Sequence, residues 1–453
     1  MNRRATLASS VAGAVLVALD GTVLTVAQPS LQRALHASYA QVQWTSTAYL
    51  VAVASLLVFA GRLGDRYGQR RMFAFGMLGF GVVSAAIGLA PGIGWVIGLR
   101  AAQGVFGALL QPATLGMLRA AFPPDRLAMP LAVRTSAIGV AAAVGPLLGG
   151  VLVSGLGWRA VFFLSVLPAS AFGLAALVRP GPERPVVGRT PLDVPGALLL
   201  AVSLACLVHT LAARPAATTA TAAGLGAAVL AGAAFVRHER RATGALLPPG
   251  VIGAPAVGSA LGVLVAVSAS LFGTLFVETY VLQRRLGLDP FDSALRGVPL
   301  AVLMVVSAPL CPPLLRRVGA RCAVASATAV LAVGVLVLSR ATGALAQGCA
   351  FALLGAGFGT VMVAATHVVV RHADVAASGV AGGLQQTALN VGPLVGVAAG
   401  SALTGAGAGT ALPVLAGLAA IAVPVARALP GRDVVPITRA PAGGVRSGGP
   451  ARR

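Results

Sequence analysis

A carboxylate at position 20 and a guanidinium at position 100 interrupt two otherwise apolar stretches, and such a pair can hold and release a proton inside a membrane. Asp20 lies about twelve residues into its stretch, roughly 18 Å from the end at which the chain starts. A bare charge at that depth costs on the order of 3 kcal/mol, so the group must be protonated, paired or facing water. Arg100 lies about five residues inside the far end of a stretch running the other way, which brings both side chains to similar depth. There they pair, or compete for one proton. The plainer alternatives are a structural hydrogen bond for Asp20 and an Arg100 that snorkels to the interface.

A second chemical cluster runs from Gly61 to Arg71. Glycines 61, 64 and 68 can take positive φ and turn two helices closely, and Asp65 is the only acid among Arg62, Arg66, Arg70 and Arg71. A buried acid with such neighbours reads as a latch. Gly139, Gly145, Pro146, Gly149 and Gly150 bring small residues and a kink to one later stretch, where helices can approach closely. Gln103, and the amides of Gln385, Gln386 and Asn390 at helical spacing, are candidates to line a substrate cavity, the alternative for the last three being that they simply join helices. Glu278 reads as interfacial, His209 and His367 as helix-to-helix hydrogen bonders, and Arg134 has no functional account.

These residues need a membrane-spanning scaffold, and the composition supplies one. The 453 residues are 57% hydrophobic and 10% charged, far from the balance of a soluble globule. Spans of about 20 apolar residues fall near 8–28, 43–60, 72–91, 95–118, 131–154 and 159–178, then 194–213 and 217–236. Six more follow near 256–281, 297–315, 322–339, 344–368, 376–400 and 411–429. The expected organisation is a six-helix half at 1–178, a linker with two additional helices at 179–255, a second six-helix half at 256–429, and a disordered tail at 430–453. Most arginines fall on the side of Arg62 and Arg126, which the positive-inside rule assigns to the cytoplasm together with both termini. That rule also accounts for the net charge of +22, and nothing patterned for nucleic acid is present.

An internal repeat supports the two halves. Gly-Pro-Leu-Leu-Gly at 145–149 recurs as Gly-Pro-Leu-Val-Gly at 392–396, and Arg-Tyr-Gly-Gln-Arg at 66–70 as Arg-Val-Gly-Ala-Arg at 317–321. Arg316 stands where Asp65 stood, so the second latch lacks its acid. Related halves around a midplane site are the plan of alternating-access transporters. No nucleophile elbow, phosphate loop or zinc-binding His pair occurs, so neither an enzyme nor a cofactor or metal is expected. The four cysteines are scattered singly and form no disulfide framework.

The 61–71 stretch resembles the signature loop between the second and third helices of the major facilitator superfamily. Leu19-Asp20-Gly21-Thr22-Val23 resembles the first-helix motif of its fourteen-helix drug:proton antiporter branch, and Arg100-Ala101-Ala102-Gln103-Gly104 the fourth-helix motif, in which the arginine is assigned to proton coupling. Gly139 to Gly150 resembles the antiporter motif, with its first glycine two residues early. The resemblance implies an all-α polytopic fold of about fourteen helices. It further implies a bacterial plasma-membrane exporter of small amphipathic compounds driven by protons, with Asp20 as carrier, Arg100 as modulator and Asp65 with Arg66 as cytoplasmic gate. Scarce membrane-embedded acids favour neutral or singly charged substrates, and a monomer suffices. A carrier for one metabolite and a non-transporting sensor or scaffold on the same fold are the alternatives.

Overall fold

Long apolar runs punctuated by Gly, Pro and Arg fold as helices because only a helix satisfies its own backbone hydrogen bonds where water is absent. The computed structural model describes residues 3–178, 193–212, 218–242, 254–282, 286–288, 290–341, 343–372, 378–404 and 408–431. The first part comprises α1 (Arg3–Ala34), α2 (Tyr39–Tyr67), α3 (Gln69–Gly88), α4 (Ile93–Ala121), α5 (Ala128–Leu156), α6 (Trp158–Phe163) and α7 (Val166–Val178). Then come α8 (Val194–Ala212) and α9 (Thr218–Glu239). The rest is α10 (Pro255–Tyr280), α11 (Pro290–Arg296), α12 (Val298–Arg340), α13 (Ala344–His372), α14 (Ser378–Thr404) and α15 (Ala408–Val425). Eleven of these stretches are long and apolar enough to cross a membrane, α6 and α7 counting together as one. The 43-residue α12 is two spans joined at Gly319, where φ is 80°.

Several boundaries lie beyond those expected. α1 reaches Ala34 and α2 reaches Tyr67, because helices continue past the apolar core into polar residues that a hydropathy reading discards. Gly61 and Gly64 are therefore inside α2, and of the three glycines expected to turn the chain only Gly68 does so, with φ of 98°. Gly319 is its counterpart in the repeat. The linker at 179–192 and the tail from 432 onward lie outside the described residues.

Each half has its own core. Leu57, Phe73, Phe80 and Leu110 pack in the first, and Val263, Leu331, Leu354 and Val361 in the second. The halves meet along two seams, α2 on α14 and α5 on the first part of α12, where Ser136 Oγ donates to Val305 O at 3.0 Å. α8 and α9 pack on each other and lean on α2 and α14 through Val58, Ala197, Phe235 and Val380. Asp193 Oδ1 lies 2.8 Å from His238 Nε2, tying the start of α8 to the end of α9. On the outside, Leu167 and Leu345 are 80% and 82% exposed, a surface suited to lipid tails and not to water. Arg3, Arg119, Arg126, Arg316, Arg321 and Arg371 gather at one end of the bundle, called the basic end below; there Arg119 donates to Arg371 O and Arg321 to Leu429 O.

Candidate functional site

α1 and α4 cross in the first half so that Asp20 and Arg100 meet. Arg100 Nη1 donates to Asp20 Oδ2 at 2.7 Å, with side chains 2% and 4% exposed. Gln103 stands three residues beyond Arg100 on α4, hence on the same face. Its amide donates to Asp20 Oδ1 at 3.2 Å and to Ser84 Oγ on α3 at 2.6 Å, while its carbonyl accepts from Arg100. Arg100 Nε donates to Thr45 O at 3.0 Å, and the guanidinium lies 4.4 Å from the centre of the Tyr49 ring. Four helices thus fix one acid and one base away from solvent. Such a pair is held by its partners: removing one member leaves an uncompensated charge at a cost of about 3–5 kcal/mol.

The sixth span is broken beside this cluster. α6 ends at Phe163 and α7 begins at Val166; the intervening Leu164 and Ser165 border a cavity of about 30 Å³ that also touches Asp20. That is room for about one water. Sequence reading placed Gln103 among candidate cavity residues; the structure places it in the ion-pair network, fully buried. It did not find Tyr49, Ser84, Ser165 or the Thr45 carbonyl. Ser84 is a lone hydroxyl in an apolar run, a faint signal at best, and a backbone carbonyl gives none.

Asp65 is 9% exposed, and its partners are not chiefly the arginines around it. Oδ1 accepts from Gly379 N at 2.7 Å and Gln69 Nε2 at 2.7 Å, and Oδ2 accepts from Val380 N at 3.1 Å. The carboxylate therefore sits on the first turn of α14, where helix N–H groups lack partners and the dipole favours an anion. Gly61 permits the approach, since a Cβ there would run into the Gly379 carbonyl oxygen. Arg66 lies 5.4 Å from the Tyr67 ring centre. The contact expected within the loop is instead one between the halves, made across 314 residues of sequence.

Along α5 the glycines divide their work. A Cβ on Gly145 would collide with the Thr22 side chain, and one on Gly149 would lie 3.1 Å from Val23, so both seat α1. Gly139 faces Val305 of the other half; Gly150 faces open space, and the Pro146 side chain lies outside the described residues. Gly145→Val should therefore cost about 1–3 kcal/mol by overpacking. It should lower the melting temperature of the purified protein, and an unchanged melt would show that α1 and α5 are not this close.

The amides of the second half are held by local contacts. Gln385 is fully buried and donates to Thr366 Oγ1 at 3.0 Å, and Asn390 donates to Gln386 O at 2.8 Å along its own helix. Glu278, expected to be open at the interface, is buried at 2% exposed, because Val277 and Leu282 on either side belong to the core. His367 is buried, and the His209 side chain lies outside the described residues. Arg134 is 4% exposed; Nη2 lies 3.4 Å from Thr114 Oγ1 and Nε is unsatisfied. Arg134→Met, of similar length without the charge, should raise the melting temperature. A lowered one would show that the guanidinium is compensated in solution.

Residues 11–397 match the family described as the Major Facilitator Superfamily. The Tetracenomycin C resistance and export protein of Streptomyces glaucescens is 39% identical over 402 residues, covering 87% of this chain and 74% of that protein. The puromycin resistance protein of Streptomyces alboniger is 34% identical over 398 residues, covering 85% and 79%. Among solved structures, the human organic anion transporter MFSD10 superposes with a TM-score of 0.68 over 94% of this chain and 100% of that one. At 15% identity that likeness is one of fold.

Proposed function

The chain belongs to the Major Facilitator Superfamily, a family of membrane transporters and not of enzymes, and from that premise we propose that it exports small amphipathic compounds of the drug or antibiotic kind in exchange for protons. It is a multi-pass protein of a bacterial membrane. In this reading the basic end and both termini face the cytoplasm, as the positive-inside rule favours.

The observation that carries the reading is the buried Asp20–Arg100 pair. A proton and the guanidinium compete for one carboxylate. When a proton takes Oδ2, Arg100 loses its strongest partner but keeps the Thr45 carbonyl, the Tyr49 ring and Gln103, so it stays in place for the next cycle. The water-sized space at the break between α6 and α7 gives the proton a place to arrive. Asp65 of α2, seated on the first turn of α14, serves as the latch that shuts the basic end, and the tight α1–α5 packing at Gly145 and Gly149 keeps α1 from opening a leak. A proton falling through 100 mV supplies about 2.3 kcal/mol, enough for a concentration ratio on the order of fifty.

The test uses inside-out vesicles with an acidic lumen and a panel of amphipathic drugs. Drug-triggered proton release from wild type, absent from Asp20→Asn, supports antiport; drug accumulation unaffected by collapsing the proton gradient refutes it.

A further inference from the structure

At the basic end, between the start of α5, the Gly319 kink of α12 and the end of α13, lies a cavity of about 560 Å³. That is the size of a small-molecule site. Its wall is apolar, with Met129, Pro312, Leu315 and Val368. Its polar lining is cationic: Arg126, Arg316 and Arg371, with His367 and His372, face a single acid, Asp125. Arg126 and Arg316 are exposed, so the cavity opens at the bundle's end. His372 Nδ1 donates to Val368 O at 2.9 Å. Besides Asp125, the acids that follow the lining residues most closely in sequence are Asp374 and Asp433, both outside the described residues. Leu429 and Pro430 are held at the rim by Arg321, and the sequence beyond them carries Arg432, Arg439, Arg446, Arg452 and Arg453 against Asp433 alone.

The internal repeat says what is missing. In one seam, Asp65 of α2 sets its carboxylate on the first turn of α14. In the other, the first part of α12 approaches the first turn of α5, but Arg316 occupies the place of Asp65, and the first turn of α5 has no side-chain cap. Ala128 and Met129 of that uncapped turn line the cavity together with Arg316.

We propose that this cavity is a binding site for an amphipathic anion, whose charged group sits among Arg126, Arg316 and Arg371 at the first turn of α5 and whose apolar body lies against Met129, Pro312 and Leu315. The charged group supplies at this seam the negative charge that Asp65 supplies at the other, so that a loaded site favours closure of the basic end. Only this last consequence rests on the export reading; occupancy is a property of the site and is measured without transport. Both a soluble organic anion and an anionic phospholipid headgroup have the required chemistry.

Binding of 2-naphthoate and of its neutral isostere 2-naphthamide is measured by calorimetry on the full-length protein in zwitterionic nanodiscs. The measurement is repeated with Arg126→Gln, Arg316→Gln and, as a charge control at the C-terminal end of α12, Arg340→Gln. The carboxylate is expected to bind saturably and the amide at least about tenfold more weakly, as the loss of a charge-assisted hydrogen bond predicts. Arg126→Gln and Arg316→Gln should each weaken the carboxylate by about the same factor, with Arg340→Gln unchanged. In nanodiscs containing phosphatidylglycerol, undiminished naphthoate binding identifies a soluble anion as occupant, and competitive loss identifies a lipid headgroup. The proposal is overturned if carboxylate and amide bind alike, if the two arginine variants bind as wild type, or if neither naphthoate nor phosphatidylglycerol binds in an Arg316-dependent way. Any of these results leaves proton-coupled export, assayed in vesicles, unaffected.

Discussion

Asp20→Asn is expected to abolish proton-coupled export, with initial rates down by two orders of magnitude or more, on the order of general proton-transfer contributions. The amide keeps the shape of the carboxylate and can still accept from Arg100, but it cannot take up a proton and release it. The substitution has a second consequence that must be separated from the first. It leaves Arg100, 1% exposed, with no counter-charge, at a cost of about 3–5 kcal/mol. The double variant Asp20→Asn, Arg100→Gln removes both charges and most of that cost, so it should recover the thermal stability lost by the single variant. It should not recover coupled export. Restored export by the double variant would mean that the pair is structural and that protons travel elsewhere, with buried Glu278 the next group to test.

How much of this was legible in the sequence differs by residue. The spans follow from hydropathy, and their order from the rule that a chain in lipid satisfies its own backbone. The Asp20–Arg100 encounter was readable because two rare charges at equal depth in antiparallel spans have few other partners. The partner of Asp65 was not, because Gly379 and Val380 contribute only backbone N–H groups, and any residue has those. Depth also misled at Glu278: counting apolar residues to the helix end places it near the interface, but burial is decided by what lies over the end, which local sequence does not record. Gln103 and Gln385 show the same limit. An amide in an apolar run announces a hydrogen bond without saying whether its partner is an ion pair, as for Gln103, or a threonine on the next helix, as for Gln385.

Asp65→Asn should slow turnover more than it weakens substrate binding. The carboxylate receives two backbone N–H groups from α14 and the Gln69 amide; an Asn side chain has one acceptor oxygen, so its NH₂ must face an N–H donor that Oδ1 or Oδ2 now satisfies. The favourable contact of an anion with the helix N-terminus is lost as well. Together these losses are on the order of 2 kcal/mol, or about thirtyfold in the ratio of closed to open basic end. In the gating role Asp65 does not bind substrate, so equilibrium affinity should hold while the maximal export rate falls roughly tenfold or more, the closed state being the one that carries substrate across. Gly61→Ala offers an independent route to the same result, because it leaves the charge in place but sets a methyl group against the Gly379 carbonyl, a backbone atom that cannot rotate aside. Two chemically unrelated substitutions that slow turnover alike and spare affinity would identify the α2–α14 seam as the gate. Normal turnover in both would mean that the basic end opens and closes elsewhere, leaving the α5–α12 seam as the moving part.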